Sequence, residues 1–444
     1  MRTRFAGILL ATVAIAAIGA SAHDSYGQST HRRHAARNYD TAAGPDVPLP
    51  RQKPTAKKTD KKIDSNKADA KKAPAAQSAD KLARTEFTAA DQAAAQIPGM
   101  PDVRFWADSV ADFQRALPAQ PGPWLILSTG GEEGAYGAGF LNGWAASGTR
   151  PEFSVITGVS TGALMATYVF AGSQFNDDLH KGYTTVSATD IFEVAATPES
   201  LADAWPLEKL IEKRVTPEIV AAVAAEYAKG RRLFVVTTNL DAGRPVVWNM
   251  GAIAAHGGEA ALKLYRQVLL ASASIEGVFQ PVYITAEANG HQFQEMHADG
   301  GATGPLFFGP PAYLMPGSPV RFPATALYAI VNGKMSSEFY LPTRNTAAIL
   351  GRAITVALKA GGRLQLALAG LAAKQAGISL DVTYVGDKFD QVGRGLFDPN
   401  YMNALYDYGF AQGRADNRFH PDQAPAERAS SASNGGGATE STPK

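Results

Sequence analysis

Phe153-Ser154-Val155-Ile156-Thr157-Gly158-Val159-Ser160-Thr161-Gly162-Ala163-Leu164-Met165-Ala166-Thr167-Tyr168-Val169-Phe170 is the stretch whose reading decides the fold. Its first five residues are largely apolar and β-branched, which reads as a short buried strand. Its last eight, rich in Ala, Leu and Met, read as a helix packed into a core. Between them stands G-x-S-x-G, residues 158–162. Strand, tight turn and helix are the setting in which that pentapeptide becomes a nucleophile elbow. A serine on so sharp a turn needs neighbours without side chains, so that the backbone bends and a helix passes close by. Ser160 then points its hydroxyl outward at a helix N-terminus, where free N–H groups and the dipole favour negative charge. The bland reading of the same residues is a glycine-rich turn holding an ordinary serine.

Outward from the elbow, strands alternate with helices. Residues 124–128, 233–238, 327–331 and 382–385 read as buried strands, and 246–248 as a strand able to pair beside 233–238. Residues 282–284 and 292–298 read as two short strands. Helical spacing covers 134–147, 259–271 and 400–412, and a long stretch at 343–371 that Gly361-Gly362 should interrupt. Thr216-Pro217-Glu218 supplies an N-cap, a first-turn proline and a first-turn acid. Phe105-Trp106 and 110–113 suggest a short capping helix. The alternation predicts an α/β fold, a largely parallel sheet covered on both faces.

The 444 residues are 45% apolar, enough for a sizeable core. The absence of cysteine excludes disulfides, zinc–thiolate sites, a cysteine nucleophile and a lipid-modified cysteine. Residues 1–22 read as a secretory signal peptide: Arg2 and Arg4, an apolar core at 5–18, then Ala20-Ser21-Ala22. The expectation is an exported protein, periplasmic or secreted, with an uncleaved anchor as the rival reading. Residues 23–84 are Lys/Ala/Asp-rich with few large apolar side chains, the composition of a disordered basic linker. Residues 1–84 carry 16 Lys and Arg against 7 Asp and Glu, while the remainder carries 26 against 34. The acidic body argues against nucleic-acid binding. The Lys-rich tract is a candidate for peripheral contact with anionic lipid, or else a solvated spacer. Residues 85–123 read as an N-terminal extension, 124–315 as the catalytic domain, 316–420 as the rest of the same fold and 421–444 as a disordered tail.

Three glycine-marked sites fall at strand ends: Thr129-Gly130-Gly131-Glu132-Glu133-Gly134, the Ser160 elbow, and Asp299-Gly300-Gly301. Loops at the carboxyl ends of parallel strands gather on one face. A serine nucleophile needs a base, and acyl transfer needs donors for a developing oxyanion. Backbone N–H groups of Gly130 and Gly131, with that of Thr161, could be those donors, and Asp299 the base. Histidine is the usual partner, but His180, His256, His291 and His297 precede Asp299, and His420 alone follows it. A Ser160, Asp299 or Asp387, His420 triad therefore stays open beside a Ser160–Asp299 dyad. An ordinary Asp is a weak base, so the dyad requires burial to raise its pKa. His297 either tunes Asp299 or is merely packed. No metal-ligand spacing occurs and no cofactor is implied; calcium dependence stays open.

The three sites in this order resemble the patatin-like phospholipases, lipid acyl hydrolases with a glycine-rich oxyanion loop, G-x-S-x-G and a later D-G-[AG]. The likeness extends to residues 238–243, 271–275, 278–281 and 397–410. It implies a three-layer α/β/α fold and a catalytic dyad: Ser160 as nucleophile, Asp299 as base, Gly130 and Gly131 as oxyanion loop. It also implies a lipid or ester substrate. Three departures stand out. Thr129 takes the place of a first glycine, Glu133 that of a frequent Arg or Lys, and Glu276 that of a common proline. The sequence also leaves open a non-hydrolytic lipid-binding envelope protein and a peptidase on the same dyad.

Overall fold

The structure is a computed structural model, and it describes residues 84–421 apart from 195, 196 and 198. The expected leader at 1–22 lies outside the described residues. So do all but the last residue of the 23–84 linker and all but the first of the 421–444 tail.

Among the described residues ten strands form one sheet: β1 (Arg104–Trp106), β2 (Gly122–Leu127), β3 (Val155–Val159), β4 (Arg232–Asn239), β5 (Arg244–Asn249), β6 (Val282–Ala288), β7 (His291–Asp299), β8 (Ala324–Lys334), β9 (Ser379–Val385) and β10 (His420–Pro421). Their order is β1-β5-β4-β3-β2-β8-β9-β10. The middle five, β4-β3-β2-β8-β9, are parallel, and β5, β1 and β10 add antiparallel edges. The β6–β7 hairpin joins through β7, which pairs with β4.

Period-two alternation in the central strands feeds two separate cores. Leu125, Leu127, Ile156, Leu233 and Val235 face one, under the elbow helix (Thr161–Ala171) and the helices Gly134–Ala146, Gly258–Ser272 and Pro399–Arg414. Trp124, Ile126, Val155, Val159, Phe234 and Val236 face the other, under Val110–Ala116 and the second half of Thr346–Ala376. The result is a three-layer α/β/α sandwich about a mostly parallel sheet.

Two helices meet backbone to backbone. A Cβ on Gly139 would lie 2.0 Å from Tyr406 O, and one on Gly413 2.1 Å from Phe140 O. Gly143 and Gly409 repeat the relation, so helix Gly134–Ala146 and helix Pro399–Arg414 close on each other through four side-chain-free positions.

Two expectations are corrected. Phe105 and Trp106 lie in an edge strand, β1, held by antiparallel pairing with β5; the separate helix Val110–Ala116 starts at its Ser109 cap. The long helix runs unbroken through Gly361 and Gly362. Each glycine costs about 1 kcal/mol of helix propensity, but here both lie against the ring of Pro305, where a Cβ would already be in contact.

Candidate active site

Register brings the elbow and Asp299 together. β4 outruns β3: pairing ends at Val159 opposite Val236, and β4 continues through Thr237, Thr238 and Asn239. β5 occupies the other edge of β4 along that overhang. β7 therefore pairs the overhang on the edge that β3 has vacated, with Asp299 opposite Thr237. A strand has only two edges, so Asp299 is set just beyond the C-terminal end of β3, where Ser160 begins the turn.

Ser160 is buried and holds φ +56°, ψ −126°, a backbone conformation that costs a non-glycine residue on the order of 1–3 kcal/mol. The turn closes because of its flanking glycines. A Cβ on Gly158 would lie 2.5 Å from Gly162 O, and one on Gly162 would lie 2.5 Å from Leu127 O. Ser272 braces the strained residue: its Oγ accepts the Ser160 N–H at 3.0 Å and donates to Val236 O at 2.8 Å.

The Ser160 hydroxyl faces the Asp299 carboxyl closely enough to favour its ionised form. Burial pushes that carboxyl up to about 7, against the opposing pull of the Ser160 hydroxyl and the Gly301 N–H. The Gly301 N–H reaches Asp299 Oδ1 at 2.7 Å. The backbone of Asp299 is fixed as well, its N–H donating to Ser274 O at 2.8 Å and its C=O accepting from Thr238 Oγ1 at 2.8 Å. Gly300 sits where a Cβ would meet Val236 O at 2.5 Å, so the turn packs tight against β4.

The glycine loop lies beside the elbow because β2 runs parallel to β3, Leu127 opposite Gly158. Asn332 of β8 pins it, donating from its backbone to Ser128 Oγ at 2.8 Å and from its side chain to Ser128 O at 2.9 Å. The loop presses so close on Asn332 that a Cβ on Gly130 would lie 2.5 Å from Asn332 O. Thr129 donates its N–H to Pro305 O at 3.0 Å. The N–H groups of Gly130, Gly131 and Thr161 donate to no other group among the described residues.

The three departures have places too. Thr129 lies against Gly301, where a Cβ would meet its Cγ2 at 3.0 Å. Glu133 reaches toward Gly333 of β8, and burial pushes its carboxyl up to about 7 although Lys359 and Lys334 pull it down. Glu276, also raised to about 7 by burial, feels the charge of Asp299, and its buried Oε1 has no hydrogen-bond partner.

His297 does not touch Asp299. Its Nδ1 meets Thr237 Oγ1 at 2.9 Å and its Nε2 meets Glu295 Oε2 at 3.1 Å, so it is a packed histidine in a buried network with Arg104. His420 stands on β10, with β2, β8 and β9 between it and β3. Four strand spacings are about 19 Å, too far for a triad with Ser160. Asp387 follows β9, its carboxylate taking the Ser336 hydroxyl at 2.6 Å.

An apolar pocket opens at Gly131 and Thr161. Leu164 and Tyr168 of the elbow helix, Leu207 and Ile211 of helix Trp205–Arg214, and Phe397 and Met402 line it; Arg214 is its one charged residue. The Glu132 carboxylate accepts the backbone N–H of Phe397, which holds φ +53°, so the glycine loop is tied to a wall of the pocket. The bracing role of Ser272, the pin from Asn332 and the Glu132–Phe397 tie carry no sequence signal of their own, since each acts across a long sequence separation. Among the described residues no cluster of side chains could hold a metal ion.

The family model of the patatin-like phospholipases matches residues 125–311, which take in the glycine loop, the elbow and Asp299-Gly300-Gly301. No curated protein matches the chain. Among solved structures, the crystal structure of VipD from Legionella pneumophila is similar over 66% of this chain and 67% of its own, at 12% identity and a TM-score of 0.31.

Proposed function

We propose that this chain, which carries a patatin-like phospholipase domain over residues 125–311, hydrolyses acyl esters of lipids with a Ser160–Asp299 dyad. The observation that carries the reading is the placement of the buried Ser160 hydroxyl against the buried Asp299 carboxyl, whose pKa burial has moved to about 7. Such a carboxyl is a competent base at neutral pH. Ser160 Oγ attacks the acyl carbonyl carbon while its proton passes to Asp299. The N–H groups of Gly130, Gly131 and Thr161, free of other partners, receive the oxyanion. The ester C–O bond breaks, and Asp299 returns the proton to the leaving alcohol. Water then loses a proton to Asp299, its oxygen bonds to the acyl carbon, and Ser160 departs with that proton. The apolar pocket beside Gly131 suits an acyl chain. Residues 1–22 support export to the periplasm or beyond.

Turnover of short soluble esters by the purified protein tests the reading. Ser160→Ala should abolish both turnover and labelling by a fluorophosphonate probe, whereas His420→Ala should leave turnover near wild type. Full turnover in Ser160→Ala would end the proposal; loss in His420→Ala would replace the dyad with a triad.

A further inference from the structure

The long helix Thr346–Ala376 touches the active-site turn on one face and solvent on the other. Its inner face carries Leu366, Ala369 and Ala373 into the second core. Leu358 lies 3.5 Å from where a Gly301 Cβ would stand, and Gln365 Oε1 accepts the Leu306 N–H at 3.2 Å. Its outer face is also apolar. Leu350, Leu364 and Leu371 are exposed at multiples of seven residues, and Ile349 and Val356 repeat the step beside them, so they form one stripe. The segment leading into the helix adds Phe339, 85% exposed, and Leu341, 74% exposed. Seven of the eleven large apolar side chains exposed among the described residues thus fall within 335–376. Scattered exposed apolar residues need no explanation, but a contiguous stripe does.

Charge identifies the occupant. Residues 335–376 hold five cations, Arg344, Arg352, Lys359, Arg363 and Lys374, against one acid, Glu338, and the helix itself holds no acid. Arg352 and Arg363 are held on backbone carbonyls of Glu338 and Met335, which leaves their charge uncompensated, while Lys359 pairs with Glu338 at 2.5 Å. A second copy in a two-fold interface would bring the same cations face to face. The chain's own 23–84 segment is also basic, 14 Lys and Arg against 7 Asp, so it too is repelled. An apolar stripe flanked by cations fits the surface of an anionic bilayer. No helix among the described residues is long and apolar enough to span a membrane, which suits a segment lying in the interface.

We propose that residues 339–371 form a bilayer-docking surface for anionic lipid, which sets Asp299 and Ser160 at the membrane plane. The proposal builds on the lipid-hydrolase reading but is tested apart from it. Full-length protein carrying Ser160→Ala is floated with phosphatidylcholine vesicles made with and without phosphatidylglycerol. Binding is expected to the anionic vesicles and to weaken as salt is raised. Leu350→Ser with Leu364→Ser, or Phe339→Ser with Leu341→Ser, should lower the partition coefficient about tenfold or more. Arg344→Gln with Arg352→Gln should lower it on anionic vesicles alone. The same changes made on active Ser160 should leave soluble-ester turnover and the melting temperature near wild type, which separates docking from folding. Failure of the parent to float with either vesicle would overturn the surface, as would unchanged flotation of the Leu variants or a dimer in light scattering that those variants dissolve. Vesicle binding without any ester turnover would keep the surface and remove the hydrolase.

Discussion

Burial holds the Asp299 carboxyl at about 7 while the Ser160 hydroxyl and the Gly301 N–H pull the other way, so the residue is half ionised near neutrality. A base must be ionised to take a proton. The kcat/KM for a soluble ester should therefore rise with pH through about 7 and level off above it, as a profile from pH 5 to 9 would read. Asp299→Asn should lower kcat by about 10²–10⁴-fold, the usual worth of a general base. Glu276 stands close enough to feel the Asp299 charge. Glu276→Gln removes a neighbouring negative charge, so its rising limb should move to lower pH; an unmoved limb would show the two to be uncoupled. The pair was only half legible in the sequence. The Asp-Gly-Gly turn marks Asp299 by its glycines, but Glu276 is a lone acid in a loop whose burial depends on how that loop folds over the turn.

Among the elements, those with a local pattern were readable, and those held only by a distant neighbour were not. The apolar run before Gly158 is β3, and the Thr216 cap with its proline begins helix Pro217–Ala228 as its sequence demands. β1 was hidden because three residues carry no period, and only the edge of β5 makes them a strand. The glycine pair at 361–362 reads as a break unless Pro305 is known to lie against it. The tie between the glycine loop and the Phe397 segment belongs to the same hidden class, since its partners are 265 residues apart. It has a measurable consequence. Glu132 fixes Phe397, and Phe397 walls the apolar pocket. Glu132→Ala should raise KM for longer acyl esters more than for acetate esters, while Glu132→Gln, which keeps an acceptor for the Phe397 N–H, should restore much of the difference. Equal effects on all chain lengths would make Glu132 a folding residue and nothing more.

For the molecule as a whole, the buried carboxyls set how stability responds to pH. Asp299, Glu132, Glu133 and Glu276 are each raised to about 7 by burial. Between roughly pH 4 and 7 the folded chain keeps protons that an unfolded chain would release, so their contribution favours the fold at low pH and is lost as pH rises through 7. His297, lowered by burial, runs the other way, losing its contribution as pH falls below about 6.5. Burial would raise Glu295, but bonds from His297 and Arg104 hold it at about 2, so its contribution is lost only as pH falls from about 4 toward that value. Four groups outweigh one between pH 5 and 8, and calorimetry should find the melting temperature higher at pH 5. A higher value at pH 8 would contradict the assignment. Activity and stability thus pull toward opposite ends of the range. The glycine-faced helix pair bears on something else, the order of events at the ribosome. Helix Gly134–Ala146, which continues the glycine loop, is made more than 250 residues before the helix that closes on it at Pro399–Arg414. At ordinary rates of synthesis that interval is on the order of tens of seconds. Through all of it the growing chain already holds Ser160 and then Asp299, yet the glycine face of the helix behind its glycine loop waits for the backbone that will cover it.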